Sequence, residues 1–242
     1  MYIHTEKIHN TRSADIVVPI ILKLTSIKSV LDVGCGTGTW LKVFNQNGIT
    51  DFLGIDGEYI NDAQLVIDEK NFKKADLRKP LDLNRKFDLS LCLEVAEHLP
   101  DDCSDQLVES LCRHSDTIIF SAAIPGQGGQ NHINEQWPAY WQNKFLSFGF
   151  TVYDVIRPKI WYNRNVDIWY RQNIFLFSKE PLLEEKSIIH AEIHPEYWEL
   201  KVKSLRLKIE EVNGFETGNA GIKRSLKALA NSILKKIFKS SK

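Results

Sequence analysis

The chain has 242 residues, of which 43% are hydrophobic and 26% are charged, as is ordinary for a soluble globular protein. Its 31 Lys and Arg residues balance 31 Asp and Glu residues, and zero net charge argues against a surface devoted to nucleic acid. The four cysteines form no CxxC pair, which disfavours a zinc site or disulfide scaffold and favours reduced thiols in a cytoplasmic protein. The apolar stretch 16–24 is too short to span a membrane.

Short apolar runs alternate with helix-like stretches over the first 180 residues or so. In chain order, the pattern predicts strands at 30–33, 52–55, 72–77, 87–93, 117–122, 152–156 and 174–178, and helices at 40–47, 101–114 and 135–148. This alternation predicts a doubly wound, mostly parallel, seven-stranded α/β sheet of the Rossmann-like kind. Because no long helix separates the last two strands, we expect them to form an antiparallel hairpin at one edge.

The pattern changes after Ser178, where two helices are predicted at 196–212 and 221–238. We therefore divide the chain into a sheet domain, 1–179, and an accessory helical region, 180–242. The segment from Gly218 onward holds seven of the 31 basic residues and no acid, which leaves 24 basic and 31 acidic residues in 1–217. We expect the basic amphipathic tail, 221–242, either to dock on this acidic body, within one chain or across a homodimer, or to lie on an anionic membrane.

A glycine-rich turn follows the first predicted strand, with glycines at 34, 36 and 38 and Asp32 two residues before the first of them. Glycine in such a turn allows a ligand to lie against bare backbone. A phosphate-binding P-loop would need a lysine after the last glycine, but Thr39 and Trp40 follow it. A dinucleotide fingerprint would need a glycine at position 39. The turn therefore suits a ligand other than a nucleotide phosphate.

At this turn the sequence resembles the class I S-adenosylmethionine-dependent methyltransferases, and the resemblance extends over 30–179. It implies that S-adenosyl-L-methionine is the cofactor, with a carboxylate after the second strand for the ribose and further contacts after the third and fourth strands for adenine and the methionine part. The residues that this resemblance assigns to the cofactor are Asp32, Gly34, Cys35, Gly36, Gly38, Asp56, Gly57, Asp76, Leu77 and Glu94.

The segment 121–141 follows the fifth predicted strand and is rich in Gly, Gln, Asn and Trp, with one histidine, His132. Open α/β sheets bind their ligands at this edge, so we interpret the segment as a substrate lid, the alternative being a solvated loop in which His132 has no role. Together with 168–173, it resembles a bacterial subgroup of these methyltransferases associated with surface-polysaccharide and modified-sugar biosynthesis. The resemblance implies a small-molecule or glycan acceptor.

Glu94, Glu97 and His98 follow the fourth predicted strand at a spacing that places them on one face of a helical turn. Similar Glu-x-x-Glu-His runs bind a divalent cation in some relatives, such as ubiquinone-biosynthesis O-methyltransferases and small-RNA methyltransferases. The resemblance therefore implies a site for a cation such as Mg²⁺ at Glu94, Glu97 and His98. His132, in the segment after the fifth strand, is expected at the same sheet edge and completes the predicted set of ligands. Capping and packing of the helix that follows is the alternative explanation.

The resemblance, together with these features, implies a methyltransferase that acts on a sugar hydroxyl, free, nucleotide-linked or within a glycan. Transfer from a sulfonium to oxygen requires positioning and the removal of one proton, for which His132 is the predicted base and Glu97 or His98 the alternatives. N-methylation of an amino sugar and a catalytically silent assembly subunit are the other hypotheses. We expect no nucleic-acid acceptor, since the body is acidic and no basic groove is evident.

Overall fold

The computed structural model of the protein describes residues 10–181, 192–217, 221–222, 224–229 and 231. The chain forms two compact units, Met1–Glu192 and Ile193–Lys242. Within the described ranges, no helix combines the length and the apolar character that are needed to cross a membrane.

The first unit is built on one sheet of seven strands in the order β3-β2-β1-β4-β5-β7-β6. The strands are β1 (Ser29–Val33), β2 (Asp51–Asp56), β3 (Phe72–Lys74), β4 (Leu89–Leu93), β5 (Thr117–Ser121), β6 (Thr151–Tyr153) and β7 (Phe175–Ser178). Strands β1 to β5 pair in parallel, whereas β7 is antiparallel to both of its neighbours, β5 and β6. The predicted fold class is therefore confirmed, as is the antiparallel hairpin at one edge.

Helices cover both faces of this sheet. They are α1 (Arg12–Leu24), α2 (Thr39–Gln46), α3 (Ser104–His114), α4 (Pro138–Ser147), α5 (Arg157–Ile160) and α6 (Ile168–Asn173). The core on one face includes residues of α1 and α2, and the core on the other includes residues of α3 and α4. Because β1 and β4 lie between the two cores, every residue of both strands is buried, including the polar residues Ser29, Asp32 and Ser90.

The structure differs from the sequence prediction at several element boundaries. Helix α1 is not among the predicted elements, because the apolar stretch 16–24 was considered only as a possible membrane span. In the structure, Ala14, Val17, Val18 and Ile21 form a buried face at helical spacing. Strand β3 ends at Lys74 rather than at residue 77. The short helices α5 and α6 are also absent from the prediction, since four to six residues give too little periodicity to recognise.

The second unit contains a long helix, α7 (Pro195–Glu216), which begins at a proline in its first turn. The helix extends past the predicted end at residue 212 and continues through Asn213 and Gly214. The gap between the two predicted helices therefore begins after Glu216. Of the tail helix predicted at 221–238, residues 222, 224–229 and 231 are helical, residue 221 is not, and the others lie outside the described residues.

Candidate active site

The glycine turn connects β1 to α2 and lies at the carboxyl edge of the sheet. Gly34, Gly36 and Gly38 have φ of 83°, 56° and 88°, in the left-handed region that other residues rarely adopt. A Cβ atom on Gly34 would lie 2.3 Å from Cγ2 of Val95, so no side chain fits there. The backbone N–H of Gly34 donates to the carbonyl oxygen of Ile55 over 2.7 Å, which anchors the turn to β2.

Asp56, the last residue of β2, is 3% exposed and holds the turn from the side. Its Oδ2 accepts a hydrogen bond from the N–H of Gly36 over 2.7 Å. Its Oδ1 accepts from the N–H of Gly57 over 2.6 Å and from the hydroxyl of Tyr59 over 2.5 Å. A carboxylate that accepts a hydrogen bond from a hydroxyl at this point could also accept one from a ribose hydroxyl. The contact with Tyr59 was not predicted from the sequence.

Asp32 lies in the middle of the parallel strands and is 2% exposed. Within the described part of the chain, its buried Oδ2 has no hydrogen-bond partner. Burial, and then the nearby charge of Asp56, raise the pKa of Asp32 to about 8. A nearby cation would favour the ionised form of this buried carboxyl. The cationic sulfonium and ammonium groups of S-adenosylmethionine therefore fit the charge of the residues present, and the bare glycine backbone provides room for such a ligand.

Asp76 and Leu77 lie just past the end of β3, where an adenine contact was predicted. The carboxylate of Asp76 accepts hydrogen bonds from Nε and Nη2 of Arg78 over 2.8 and 3.0 Å. This pairing with Arg78 lowers the pKa of Asp76. Leu77 packs, partly buried, against the core on the α3 and α4 face.

Cys35 lies within the glycine turn and is 6% exposed. Burial raises the pKa of its thiol well above the ordinary value, and the nearby carboxylates Asp32 and Asp56 raise it further. A thiol that stays protonated is a poor nucleophile, so the structure supports a packing role for Cys35. Trp40, in the first turn of α2, contacts Tyr170 edge to face, with the ring centroids 5.1 Å apart.

Glu94 follows β4 and is held by side-chain amides from two distant parts of the chain. Its φ of 54° is unusual for a residue other than glycine. Nε2 of Gln127, in the lid segment, donates to Oε2 of Glu94 over 2.9 Å, and Nδ2 of Asn173, at the end of α6, donates to Oε1 over 3.2 Å. Nδ2 of Asn173 also donates to Oε1 of Gln127 over 2.9 Å. These amides connect β4, the lid segment and α6 around one carboxylate.

The structure brings Glu97, His98 and His132 together, with one ligand atom from each residue within 4.8 Å of the others. The rings of His98 and His132 contact edge to face at a centroid distance of 4.9 Å. The lid segment is fixed to this cluster because the N–H groups of Ile133 and Asn134 donate to the carbonyl oxygen of Glu97 over 2.9 and 3.1 Å. Three of the four predicted metal-binding residues therefore meet, and the fourth, Glu94, is held by amides.

Glu97 is completely buried, and neither of its carboxylate oxygens has a hydrogen-bond partner among the residues that the structure describes. Burial and the charge of the neighbouring Glu94 raise the pKa of Glu97 well above the ordinary value. Burial, and then repulsion from His132, lower the pKa of His98. Two adjacent buried carboxyls require either a shared proton or a nearby cation, so the cluster is suited to proton transfer or to metal binding.

The chain matches the family model described as "Methyltransferase domain" over residues 7–143. This match covers more than half of the chain, and the protein belongs to that family. Together with the fold, it identifies an S-adenosylmethionine-dependent methyltransferase. No curated protein matches the sequence.

Solved structures of methyltransferases share the fold at low sequence identity. CalS10, an amino pentose methyltransferase from Micromonospora echinaspora involved in calicheamicin biosynthesis, is 14% identical with a TM-score of 0.53, over 74% of this chain and 98% of that one. Magnesium protoporphyrin IX methyltransferase (ChlM) from Synechocystis PCC 6803 is 22% identical with a TM-score of 0.51, over 70% and 83% of the two chains. DesVI from Streptomyces venezuelae is 14% identical with a TM-score of 0.51, over 70% and 93%. These likenesses establish the fold and leave the acceptor open.

Proposed function

We propose that the protein O-methylates a sugar hydroxyl, or a similarly small polar acceptor, in glycan biosynthesis. The observation that carries this proposal is the Glu97–His98–His132 cluster, in which two residues that follow β4 meet a histidine of the lid segment. A hydroxyl must lose a proton when it is methylated, and a cluster of two imidazoles and a carboxyl offers groups that can accept it. The amino pentose acceptor named for CalS10 is a small sugar, in keeping with an acceptor of this size.

In this proposal the residues around the glycine turn hold the cofactor, which supplies the methyl group. Asp56 binds the ribose, the turn at Gly34, Gly36 and Gly38 contacts the ligand through its backbone, and Asp32 offsets positive charge. Gly57, Cys35, Asp76, Leu77 and Glu94 complete the cofactor site predicted from the sequence. His132 takes the proton of the acceptor hydroxyl, with Glu97 or His98 as alternatives. The contribution of the protein is then mainly orientation and the removal of one proton.

The lid segment offers surfaces suited to sugar recognition. Trp137 is 42% exposed, and the amide residues Gln130 and Asn131 are also exposed. An aromatic face packs against the apolar face of a sugar ring, and planar amides hydrogen-bond to its hydroxyls. We propose that these side chains contact the acceptor.

A metal-assisted version of the same reaction is favoured by one observation, the pair of donor-free buried oxygens on Glu97 beside two histidines. In this version, Glu97, His98 and His132 bind a divalent cation such as Mg²⁺, with Glu94 close by. A bound cation lowers the pKa of a coordinated hydroxyl and orients it for methyl transfer. The two mechanisms differ in the expected effect of a chelator on turnover: it should stop a metal-activated reaction and leave base catalysis by His132 unchanged.

N-methylation, unlike O-methylation, would need no strong base. A catalytically silent subunit would need no cofactor. The intact glycine turn and the buried carboxylates of Asp32 and Asp56 weigh against a silent subunit. A cytoplasmic location, the absence of a nucleic-acid acceptor, a homodimer and membrane contact through 221–242 stay predictions.

The proposal is tested by incubating the full chain with methyl-labelled S-adenosylmethionine and matched pairs of nucleotide sugars that differ only in a hydroxyl or an amino group. We expect label in hydroxyl sugars, and loss of that labelling in His132→Ala. Labelling of amino sugars alone, unchanged in His132→Ala, would favour N-methylation instead. Glu109→Gln, an exposed substitution on α3 that removes only an ion pair with Arg113, serves as the control and should label normally.

A further inference from the structure

Part of the lid segment, 126–135, is folded around the carboxylate of Glu135, a residue that the sequence analysis did not single out. Oε2 of Glu135 accepts a hydrogen bond from the N–H of Gly126 over 2.7 Å. Oε1 accepts from the N–H of Gly128 over 2.5 Å and lies 2.9 Å from Nδ1 of His132. Two backbone donors therefore fix the carboxylate, and the fixed carboxylate in turn holds the imidazole.

This contact specifies which nitrogen of His132 carries the proton. A carboxylate only accepts hydrogen bonds, so Nδ1 of His132 must donate to it and hold a proton in the neutral ring. The side chains of His132 and Glu135 are only 12% and 18% exposed, so water competes weakly for this hydrogen bond. The remaining nitrogen, Nε2, then carries the lone pair.

Gly129 lies against Nε2 of the same ring. A Cβ atom at position 129 would be 2.1 Å from Nε2 and 2.6 Å from both Cδ2 and Cε1 of His132. Unlike Gly126 and Gly128, whose φ values are 83° and 62°, Gly129 does not have a positive φ. Its backbone would accept an alanine, so the need for glycine here comes from the space that the imidazole occupies.

We propose that Glu135 and Gly129 are positioning residues that present Nε2 of His132 to the reaction. Glu135 keeps the proton on Nδ1, and the absence of a side chain at position 129 leaves room for the imidazole to hold this orientation. The inference rests on the proposed role of His132, as base or as metal ligand, since both roles require a lone pair on Nε2. When Nε2 accepts the hydroxyl proton, the ring becomes an imidazolium whose Nδ1–H still faces the Glu135 carboxylate.

The tautomer can be measured without any acceptor, by the ¹⁵N shifts of the His132 ring in the full-length protein. We expect Nδ1–H in the wild type, the same tautomer in Glu135→Gln, whose amide oxygen still accepts from Nδ1, and a mixture with Nε2–H in Glu135→Ala. The control Glu109→Gln should match the wild type. A wild-type ring protonated on Nε2, or a tautomer unchanged in Glu135→Ala, would overturn the inference.

The role of Gly129 is tested by activity in a double-mutant cycle. Gly129→Ala should lower kcat about 10- to 100-fold, the range for loss of a group that orients a reacting residue, while KM for the cofactor stays unchanged. In a His132→Ala background, the same substitution should have no further effect. Equal losses in both backgrounds would overturn the role of Gly129. A fully active His132→Ala would instead contradict the proposed function and leave the tautomer measurement standing.

Discussion

The carboxylate of Asp56 and the backbone N–H of Gly36 are joined by a 2.7 Å hydrogen bond, although 20 residues separate them in the chain. This bond fixes the middle of the glycine turn to the end of β2. The two parts of the predicted cofactor site, the turn and the ribose-binding carboxylate, therefore form one unit.

Asp56→Ala should weaken binding of S-adenosylmethionine by about 1.5–3 kcal/mol, the range for hydrogen bonds to a charged group. The substitution removes the predicted ribose acceptor and the hydrogen bond to Gly36 at the same time. Calorimetric titration measures the loss directly. Asp51→Ala, at the exposed start of the same strand, removes only an ion pair with Arg85 and should bind as the wild type does. Unchanged affinity in Asp56→Ala would contradict the cofactor site.

Gly36→Val should abolish cofactor binding, because a β-branched residue is strained at a φ of 56° and would fill the space where the ligand meets backbone. Gly48→Val is the matched control. Gly48 also has a positive φ, 92°, but a Cβ atom there would meet no other atom within 4 Å, and the residue lies after α2, away from the turn. Both variants should unfold at lower temperature, and only Gly36→Val should lose binding in calorimetry.

Most of the sheet could be predicted because its signals are local. Strands β1 and β4 are rich in apolar residues, and the closely spaced glycines that follow β1 form a turn in which all three have a positive φ. The surroundings of Glu94 could not be predicted, since its amide donors Gln127 and Asn173 are 33 and 79 residues away and meet it only after the strands pair. For Glu97 and His132, the sequence predicts only that both follow strands whose ends lie at the same sheet edge. It does not predict that their side chains meet.

The start of α4 illustrates the same limit at a single residue. The helical pattern predicts a start at Glu135, whereas the helix begins at Pro138. The carboxylate of Glu135 is instead engaged by the lid segment, through Gly126, Gly128 and His132. A glutamate is a common residue in the first turn of a helix, so the sequence offers no signal that distinguishes this use from an ordinary helix start.

Asp32→Asn should increase the free energy of unfolding at pH 8 relative to the wild type, with the difference shrinking toward pH 4. Burial raises the pKa of Asp32 in the folded protein to about 8, so between roughly pH 4 and 8 the folded state holds a proton that the unfolded state has released. The wild type therefore loses stability as pH rises through this range. Denaturant titrations of both proteins at several pH values measure the difference.

The cofactor should reduce the stability advantage of Asp32→Asn at pH 8. A cationic ligand is stabilised by an ionised Asp32, so adding S-adenosylmethionine at pH 8 should stabilise the wild type more than Asp32→Asn. An equal thermal shift in both proteins would contradict the assignment of Asp32 to the cofactor site.

Base catalysis and metal activation share His132 and are separated by a chelator. If His132 acts as the base, the chelator should have no effect, and His132→Ala should lower the rate about 10²- to 10⁴-fold. If a cation is required, the chelator should stop turnover and added Mg²⁺ or Mn²⁺ should restore it.

Glu97→Gln distinguishes these two mechanisms further, because it keeps the shape of a buried side chain whose oxygens have no donors. Under the metal mechanism, the variant should lose both activity and its response to added cation, since an amide is a weaker ligand than a carboxylate. Under the base mechanism, it should keep most of its activity and gain stability at neutral pH, because burial already disfavours the charged form of Glu97. Full activity in His132→Ala, with and without chelator, would contradict both mechanisms.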